Sequence, residues 1–170
     1  MKKILILMSI IILIVIQQKQ EQNIIIPKES IRIRIIANSN NLEDQLTKIK
    51  LKNNIETKIY QDLEKTKSIE DARTIINKEM NEIGNIVNKT LNNDSYDINY
   101  GLNYFPEKKY KGIKYDEGYY ESLVIKIGEG IGDNWWCVLF PPLCTIETKN
   151  DKKNKVEYKS KVLEILKEYK

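Results

Sequence analysis

The chain has 170 residues, a length that predicts one domain and at most two. It contains no histidine, which excludes a Ser-His-Asp triad, a Cys-His dyad and a His-ligated zinc site. The formal net charge of +4 is small, and lysines are interspersed with acidic residues, so the charge pattern does not favour a nucleic-acid-binding protein.

The N-terminus has the order of a secretory signal. A short basic start at Met1–Lys3 precedes an apolar run over residues 4–16. As a helix, this run would be about 20 Å long, shorter than the hydrocarbon core of a bilayer. Small residues that would mark a cleavage site are missing just after Ile16. We therefore expect residues 1–16 to be either a signal peptide or an uncleaved signal anchor with the rest of the chain outside.

Residues 17–29 are largely polar apart from one isoleucine triplet, so we interpret them as a linker and place the folded domain at residues 30–170. The domain opens with the alternating run IRIRII at Ile31–Ile36, which is typical of a half-buried strand. The polar turn over residues 37–41 follows, and its side chains can cap a helix predicted over about 41–65.

Apolar residues predict the faces of two helices. In the first helix, the apolar stripe opens with Leu42, Leu46 and Ile49 and drifts onto Ile55, Ile59 and Leu63. A second helix starts after Ser68, which can act as its N-cap, and its apolar residues recur in steps of three and four as far as Leu91.

The second half of the chain predicts mainly strands. Residues 96–104 alternate between apolar and polar side chains, whereas 107–118 are charged, contain glycines and read as an exposed loop. Further strands are expected at 123–127, 135–140 and 145–148, then a polar spacer at 149–155 and a last amphipathic helix ending near Tyr169. This order predicts a single α+β domain with helices packed on a largely antiparallel sheet.

One segment carries the identity of the chain. Gly128–Cys144, GEGIGDNWWCVLFPPLC, combines two adjacent tryptophans, two prolines and two cysteines. Two other segments accompany it: IRIRIIANSN at Ile31–Asn40 and NYGLNYFPEKKY at Asn99–Tyr110. On these segments and the hydrophobic N-terminus, the chain resembles the stage II sporulation protein R family of endospore-forming bacteria.

The resemblance implies an exported signalling protein that is not an enzyme. Such a protein is made in the forespore and acts in the space between the forespore and mother-cell membranes, either released or tethered to a membrane through its N-terminal segment. There it activates in trans a membrane-embedded aspartic protease, from the extracytoplasmic side, and the protease processes the sigma E precursor in the mother cell. The catalytic aspartates belong to that partner. We expect no cofactor, no metal and no nucleic acid.

Cys137 and Cys144 are separated by six residues. Outside the cytoplasm an even pair favours a disulfide, and the two prolines between them can supply the turn that brings the sulfurs together. Three alternatives stay open. The cysteines can be two buried thiols, a zinc site that would need two further ligands, or a catalytic thiol that would lack its usual base.

The tryptophans suggest a surface for a partner. Aromatic side chains dominate interface hot spots because they bury a large area with few rotatable bonds. Consecutive residues of a strand face opposite sides, which predicts one tryptophan in the core and its neighbour facing outward. The candidate partner-binding residues are Asn134, Trp135, Trp136 and Phe140.

The glycine run and the acidic residues beside it permit other functions. The pattern G-x-G-x-G at Gly128–Gly132 lacks the spacing of a dinucleotide site, so we expect the glycines to serve backbone geometry, either a positive φ or a close approach beside the bulky tryptophans. Paired carboxylates can cleave a cell-wall glycan, which leaves a peptidoglycan hydrolase or glycan-binding domain as the main alternative and a purely structural protein as a third. The carboxylates concerned are Glu117, Glu121, Glu129 and Asp133.

Overall fold

The computed structural model describes Met8 and residues 24–92, 94–110, 113–144 and 155–169. The predicted signal segment, apart from Met8, lies outside the described residues, as do the strand predicted at 145–148 and most of the spacer after it. Within the described ranges, the model contains no helix that is both long and apolar enough to span a bilayer.

Three helices occupy the described ranges: α1 (Leu42–Leu63), α2 (Ile69–Leu91) and α3 (Lys155–Glu168). The first two begin at the caps that the sequence predicts. The side chain of Asn41 accepts a hydrogen bond from the backbone N–H of Asp44 at 2.7 Å, and Ser68 accepts one from the N–H of Asp71 at 3.1 Å. Each cap satisfies one of the N–H groups that a helix leaves without an internal partner at its start.

The described residues form seven strands: β1 (Ile24–Ile25), β2 (Ile31–Ile36), β3 (Tyr96–Phe105), β4 (Lys108–Tyr110), β5 (Ile113–Tyr115), β6 (Gly118–Ile127) and β7 (Asn134–Phe140). The larger sheet has the order β3-β6-β2-β7, and the smaller sheet has the order β1-β5-β4. The domain is α+β, as predicted, but its sheets are mixed because β2 runs parallel to β6 and β1 runs parallel to β5. The long segment between β2 and β6 supplies the crossover that a parallel pair needs.

The main core lies between α1, α2 and one face of the larger sheet. Ile31, Ile33 and Ile35 of β2 are at most 1% exposed and point to this side. The predicted stripe of α2 is confirmed, but the stripe predicted for the start of α1 is wrong. Leu42, Leu46 and Ile49 are exposed. The later part of the predicted stripe, Ile55, Ile59 and Leu63, is confirmed and forms the core side of α1 together with Leu51.

A second, smaller core lies around the three-stranded sheet and α3. It consists of Ile24, Ile26, Ile113, Tyr115, Val138, Leu143 and Val162. This core corrects two predictions. The linker predicted over 17–29 contains a strand at its end, and the loop predicted over 107–118 contains the antiparallel pair β4–β5. In both segments, isolated apolar side chains become buried only through contacts that are distant in sequence.

The glycine run packs against the turn before α1. The backbone N–H of Gly132 donates to the carbonyl of Ala37 at 3.0 Å, and the N–H of Asp133 donates to the side chain of Asn40 at 2.6 Å. Gly128 has a φ of +53°, and a Cβ on Gly132 would overlap the carbonyl oxygen of Ser39. The prediction that the glycines serve backbone geometry is therefore confirmed, but the close neighbour is this turn and not a tryptophan.

We expect Gly132→Ala to lower the free energy of unfolding by about 1–3 kcal/mol, because the new methyl group meets backbone that cannot move aside cheaply. Gly84→Ala is the matched control. Gly84 lies within α2 with open space around it, and alanine there should stabilise the protein by about 0.5–1 kcal/mol. Denaturant unfolding of both variants measures the difference. Equal unfolding midpoints for the two variants would contradict the close packing of the glycine run on the turn.

Candidate functional site

The larger sheet has a second face, which points away from α1 and α2. The arginines of β2 lie on it, because they alternate with the three isoleucines of the main core. Arg34 has two cross-strand neighbours on this face, Val124 of β6 and Trp136 of β7. Arg32 is flanked in the same way by Ser122 and Val138.

Arg32 is buried among aromatic rings. Its side chain is 2% exposed, and its guanidinium carbon lies 3.3 Å from the centre of the Tyr120 ring, 5.4 Å from that of Phe105 and 5.8 Å from that of Tyr115. In the described part of the chain, no acceptor is in hydrogen-bonding geometry with its nitrogens. Burial lowers the pKa of Arg32, and Tyr120 opposes that shift. The ring faces attract the cation, and the Asp116 carboxylate adds a smaller coulombic attraction.

Trp136 is the centre of a smaller group at the open side of this face, which we call the cation–indole cluster: Arg34, Lys108 and Trp136. The Arg34 guanidinium carbon lies 5.6 Å from the indole ring centre, and Lys108 Nζ lies 4.7 Å from it. All three side chains are half-buried. Phe105 packs edge-on against Trp136 from the Arg32 side, with 5.1 Å between ring centres.

The two tryptophans lie on opposite faces of β7, as the strand geometry predicts. Trp135 packs on the main core beneath α1, where Lys52 Nζ lies 5.3 Å from its ring centre. The prediction of one core and one outward tryptophan is too simple, since both are half-buried. Asn134 is also half-buried, opposite Ile36.

Phe140 does not belong to the accessible surface. It is 6% exposed and packs edge-on against Tyr169, with 5.0 Å between the ring centres. Its selection from sequence as a contact residue is wrong, because the end of α3 returns to cover it. The accessible part of the predicted site therefore reduces to Asn134, Trp135 and Trp136.

Cys137 and Cys144 are joined in a disulfide, with their Cα atoms 5.7 Å apart. Both residues are buried, Cys137 in β7 and Cys144 just beyond the proline pair. Since each sulfur is bonded to the other, neither is available as a zinc ligand or as a nucleophile. The described residues also contain no group of three or more metal-ligating side chains.

Comparison with known proteins gives the family. The family model described as stage II sporulation protein R matches residues 27–167. The chain belongs to the stage II sporulation protein R family. One curated relative, the Stage II sporulation protein R of Bacillus subtilis (strain 168), is 38% identical over 133 residues. That match covers 76% of this chain and 59% of the relative, so the chain spans less than two thirds of the relative's length. No solved structure matches the chain.

The sequence does not predict the cationic part of the site. The sequence shows Arg32 and Arg34 as the polar half of an alternating strand, a pattern that favours exposure. Their burial depends on the small sheet and on Phe105 and Tyr120, which contact them from distant positions in the chain. The one signal in the sequence is the aromatic content of the segments 104–105 and 115–120. Aromatic rings can cover the arginines of a neighbouring strand.

Among the acidic residues considered for glycan cleavage, Glu121 is held by two neighbours. Arg73 Nη2 donates to Glu121 Oε2 at 2.8 Å, and the Tyr100 hydroxyl donates to Oε1 at 2.7 Å. Burial by itself would raise the pKa of Glu121, but these hydrogen bonds outweigh burial and keep the pKa below its ordinary value. A general acid needs the opposite shift, so Glu121 does not fit that role.

We expect the Cys137→Ala/Cys144→Ala double variant to lose about 2.5 kcal/mol of unfolding free energy, the chain-entropy value for so short a loop. Denaturant unfolding with and without dithiothreitol checks this expectation. Reduction should destabilise the wild-type protein by a similar amount and leave the double variant unchanged. An unfolding midpoint of the wild type that does not respond to reduction would contradict a stabilising role for the bond.

The lowered pKa of Glu121 predicts that the stability of the folded protein depends on pH. A depressed folded-state pKa contributes stability above the ordinary carboxylate pKa of 4.5, and this contribution is lost as the pH falls through the folded-state value. Glu121→Gln should therefore destabilise the protein at pH 7 and flatten the decline of stability below about pH 4.5. Unfolding measured from about pH 3 to pH 7 tests this prediction. Glu129→Gln removes the same charge from an exposed turn, and a pH profile flattened equally by both variants would contradict it.

Proposed function

We propose that this chain is an exported sporulation signal that activates a membrane-embedded aspartic protease by direct contact. In this proposal, the protein acts outside the forespore membrane, released or tethered by its N-terminal segment, and the protease then processes the sigma E precursor in the mother cell. Two findings support the proposal. The chain belongs to a sporulation family, and an apolar run follows a basic start at its N-terminus.

The environment of Trp136 supports a contact role most directly. Its Nε1–H is buried and has no acceptor among the described residues, while part of the ring is open on the second face. The open part of the ring, and not the enclosed N–H, is the surface that a partner can reach. A half-exposed indole is also the kind of side chain that dominates protein interfaces.

The energy required of such a signal is modest. An activator shifts a protease toward its active state only by binding that state more tightly than the inactive one. A difference of about 1.4 kcal/mol changes the balance tenfold. One indole in a desolvated contact can supply that difference, so a small surface is sufficient.

The test is co-expression of the full chain with the candidate protease and its sigma precursor in a non-sporulating host. Precursor cleavage should require all three proteins. Trp136→Ala should reduce cleavage at least about tenfold, since it removes the proposed contact. Trp135→Ala tests the opposite face of β7 in the same way.

Tyr119→Ala is the matched control, because it removes an aromatic ring that is 73% exposed and lies on β6, a strand that does not pair with β7. Thermal unfolding must show that every variant is folded. Normal cleavage with both tryptophan variants would exclude this surface, and no cleavage with all three wild-type proteins would exclude the function. Release of soluble fragments from peptidoglycan by the purified chain would favour the glycan hydrolase.

A further inference from the structure

We propose that the cation–indole cluster binds the carboxylate of an acidic segment of the partner protein, with Arg34 and Lys108 as its cationic donors and the exposed part of the Trp136 ring packed beside the bound segment. This inference rests on the proposed function, because it specifies the chemistry by which the partner is recognised. It adds a ligand class and two residues, Arg34 and Lys108, that the sequence does not single out.

Unbalanced charge is the first argument. Three other cations of the described residues have close carboxylate partners: Arg73 lies 2.8 Å from Glu121, Lys58 lies 3.1 Å from Glu79, and Lys114 lies 2.9 Å from Asp116. Neither Arg34 nor Lys108 forms an ion pair with a described residue, although both approach the same indole ring. Two half-buried cations beside one ring therefore present an uncompensated positive site.

Two acidic residues that flank β6 and β7 are already engaged. Asp116 pairs with Lys114, and Asp133, just before β7, opposes the lowering of the Lys48 pKa that burial causes. The backbone carbonyl of Asp133 also accepts a hydrogen bond from Lys48 Nζ at 2.9 Å. A ligand that is not part of the described chain can therefore neutralise the positive charge of the cluster.

Unpaired donors are the second argument. Arg34 Nε and Trp136 Nε1 are both buried and lack acceptors among the described residues. Burial lowers the pKa of Arg34, and no described neighbour compensates for that burial. A carboxylate offers two oxygens with about four acceptor positions, which suits a guanidinium and an ammonium that both approach one indole ring.

The surroundings favour a protein segment over a lipid headgroup or a free anion. Arg34 lies directly beside Val124 on the second face, and the half-buried Ile36 follows two positions later on the same strand. This mixture of cations, an indole and aliphatic side chains complements a segment in which acidic and apolar residues occur together. A free anion would leave the aliphatic part of the surface without a partner, and the proposed function calls for a protein as the partner.

The experiment uses the full chain in the three-protein cleavage assay. Lys108→Glu should reduce precursor cleavage at least about tenfold, and Arg34→Gln should do the same. Lys109→Gln and Lys109→Glu are matched controls, because Lys109 is exposed and points to the opposite side of β4 from Lys108. Thermal unfolding identifies any variant that fails to fold, and Lys108 carries the test if Arg34→Gln does.

A binding measurement identifies the ligand class. The probes are synthetic peptides that cover the extracytoplasmic loops of the candidate protease, each paired with a version in which Asp and Glu become Asn and Gln. At least one acidic peptide should shift the Trp136 indole N–H resonance of the ¹⁵N-labelled full chain, and its neutral counterpart should not. Lys108→Glu should abolish that shift.

The outcomes separate the two proposals. If wild-type chain drives cleavage and Lys108→Glu drives it equally well, the acidic-ligand site is wrong and the signalling function stands. If the wild-type chain drives no cleavage, the function itself fails. A Trp136 shift that appears with phosphatidylglycerol vesicles but with none of the peptides would overturn the protein-segment site in favour of a lipid headgroup.

Discussion

The structure depends on the burial of one cation, the guanidinium of Arg32. β2 is an inner strand of the larger sheet, so both of its faces must be covered, and its isoleucines fill only one of them. Taking a cation out of water costs on the order of several kcal/mol. A desolvated cation–π contact returns about 2 kcal/mol or more, and the Tyr120 ring lies only 3.3 Å from the guanidinium carbon. The rings of Phe105 and Tyr115 complete the cover.

The exposure of the two arginines increases along β2. The more buried arginine stabilises the fold, and the more exposed one is available for binding. Arg32 is enclosed by rings, whereas Arg34, two residues later, is half-buried beside Trp136 at the open part of the same face. The aromatic cover ends with Phe105, which touches both the Arg32 side and the edge of Trp136. The aromatic cover that stabilises the second face therefore stops short of Arg34 and Trp136, which stay partly accessible. A partner that covers them adds to the cation–aromatic packing that the fold already contains.

The sequence predicts those parts of the fold in which the contacts are local. Steps of three and four define α2, and Asn41 and Ser68 mark helix starts, because periodicity and capping depend on near neighbours. The sequence does not predict the strand at Ile24–Ile25, the β4–β5 pair or the parallel pairing of β2 with β6. These depend on pairing between distant segments. The sequence does not predict the cationic part of the site for the same reason, since the aromatic rings that cover Arg32 come from distant segments of the chain.

The segment that carries the tryptophans is constrained at both of its ends. Before β7, Gly132 packs against the backbone of the turn that precedes α1, and directly after the two tryptophans Cys137 is bonded to Cys144. Trp135 and Trp136 lie between these two restraints and are also paired with β2. Fixing a binding surface before the partner arrives reduces the conformational entropy lost on association. A small surface on this strand can therefore give a useful affinity, which a flexible loop with the same two tryptophans would not.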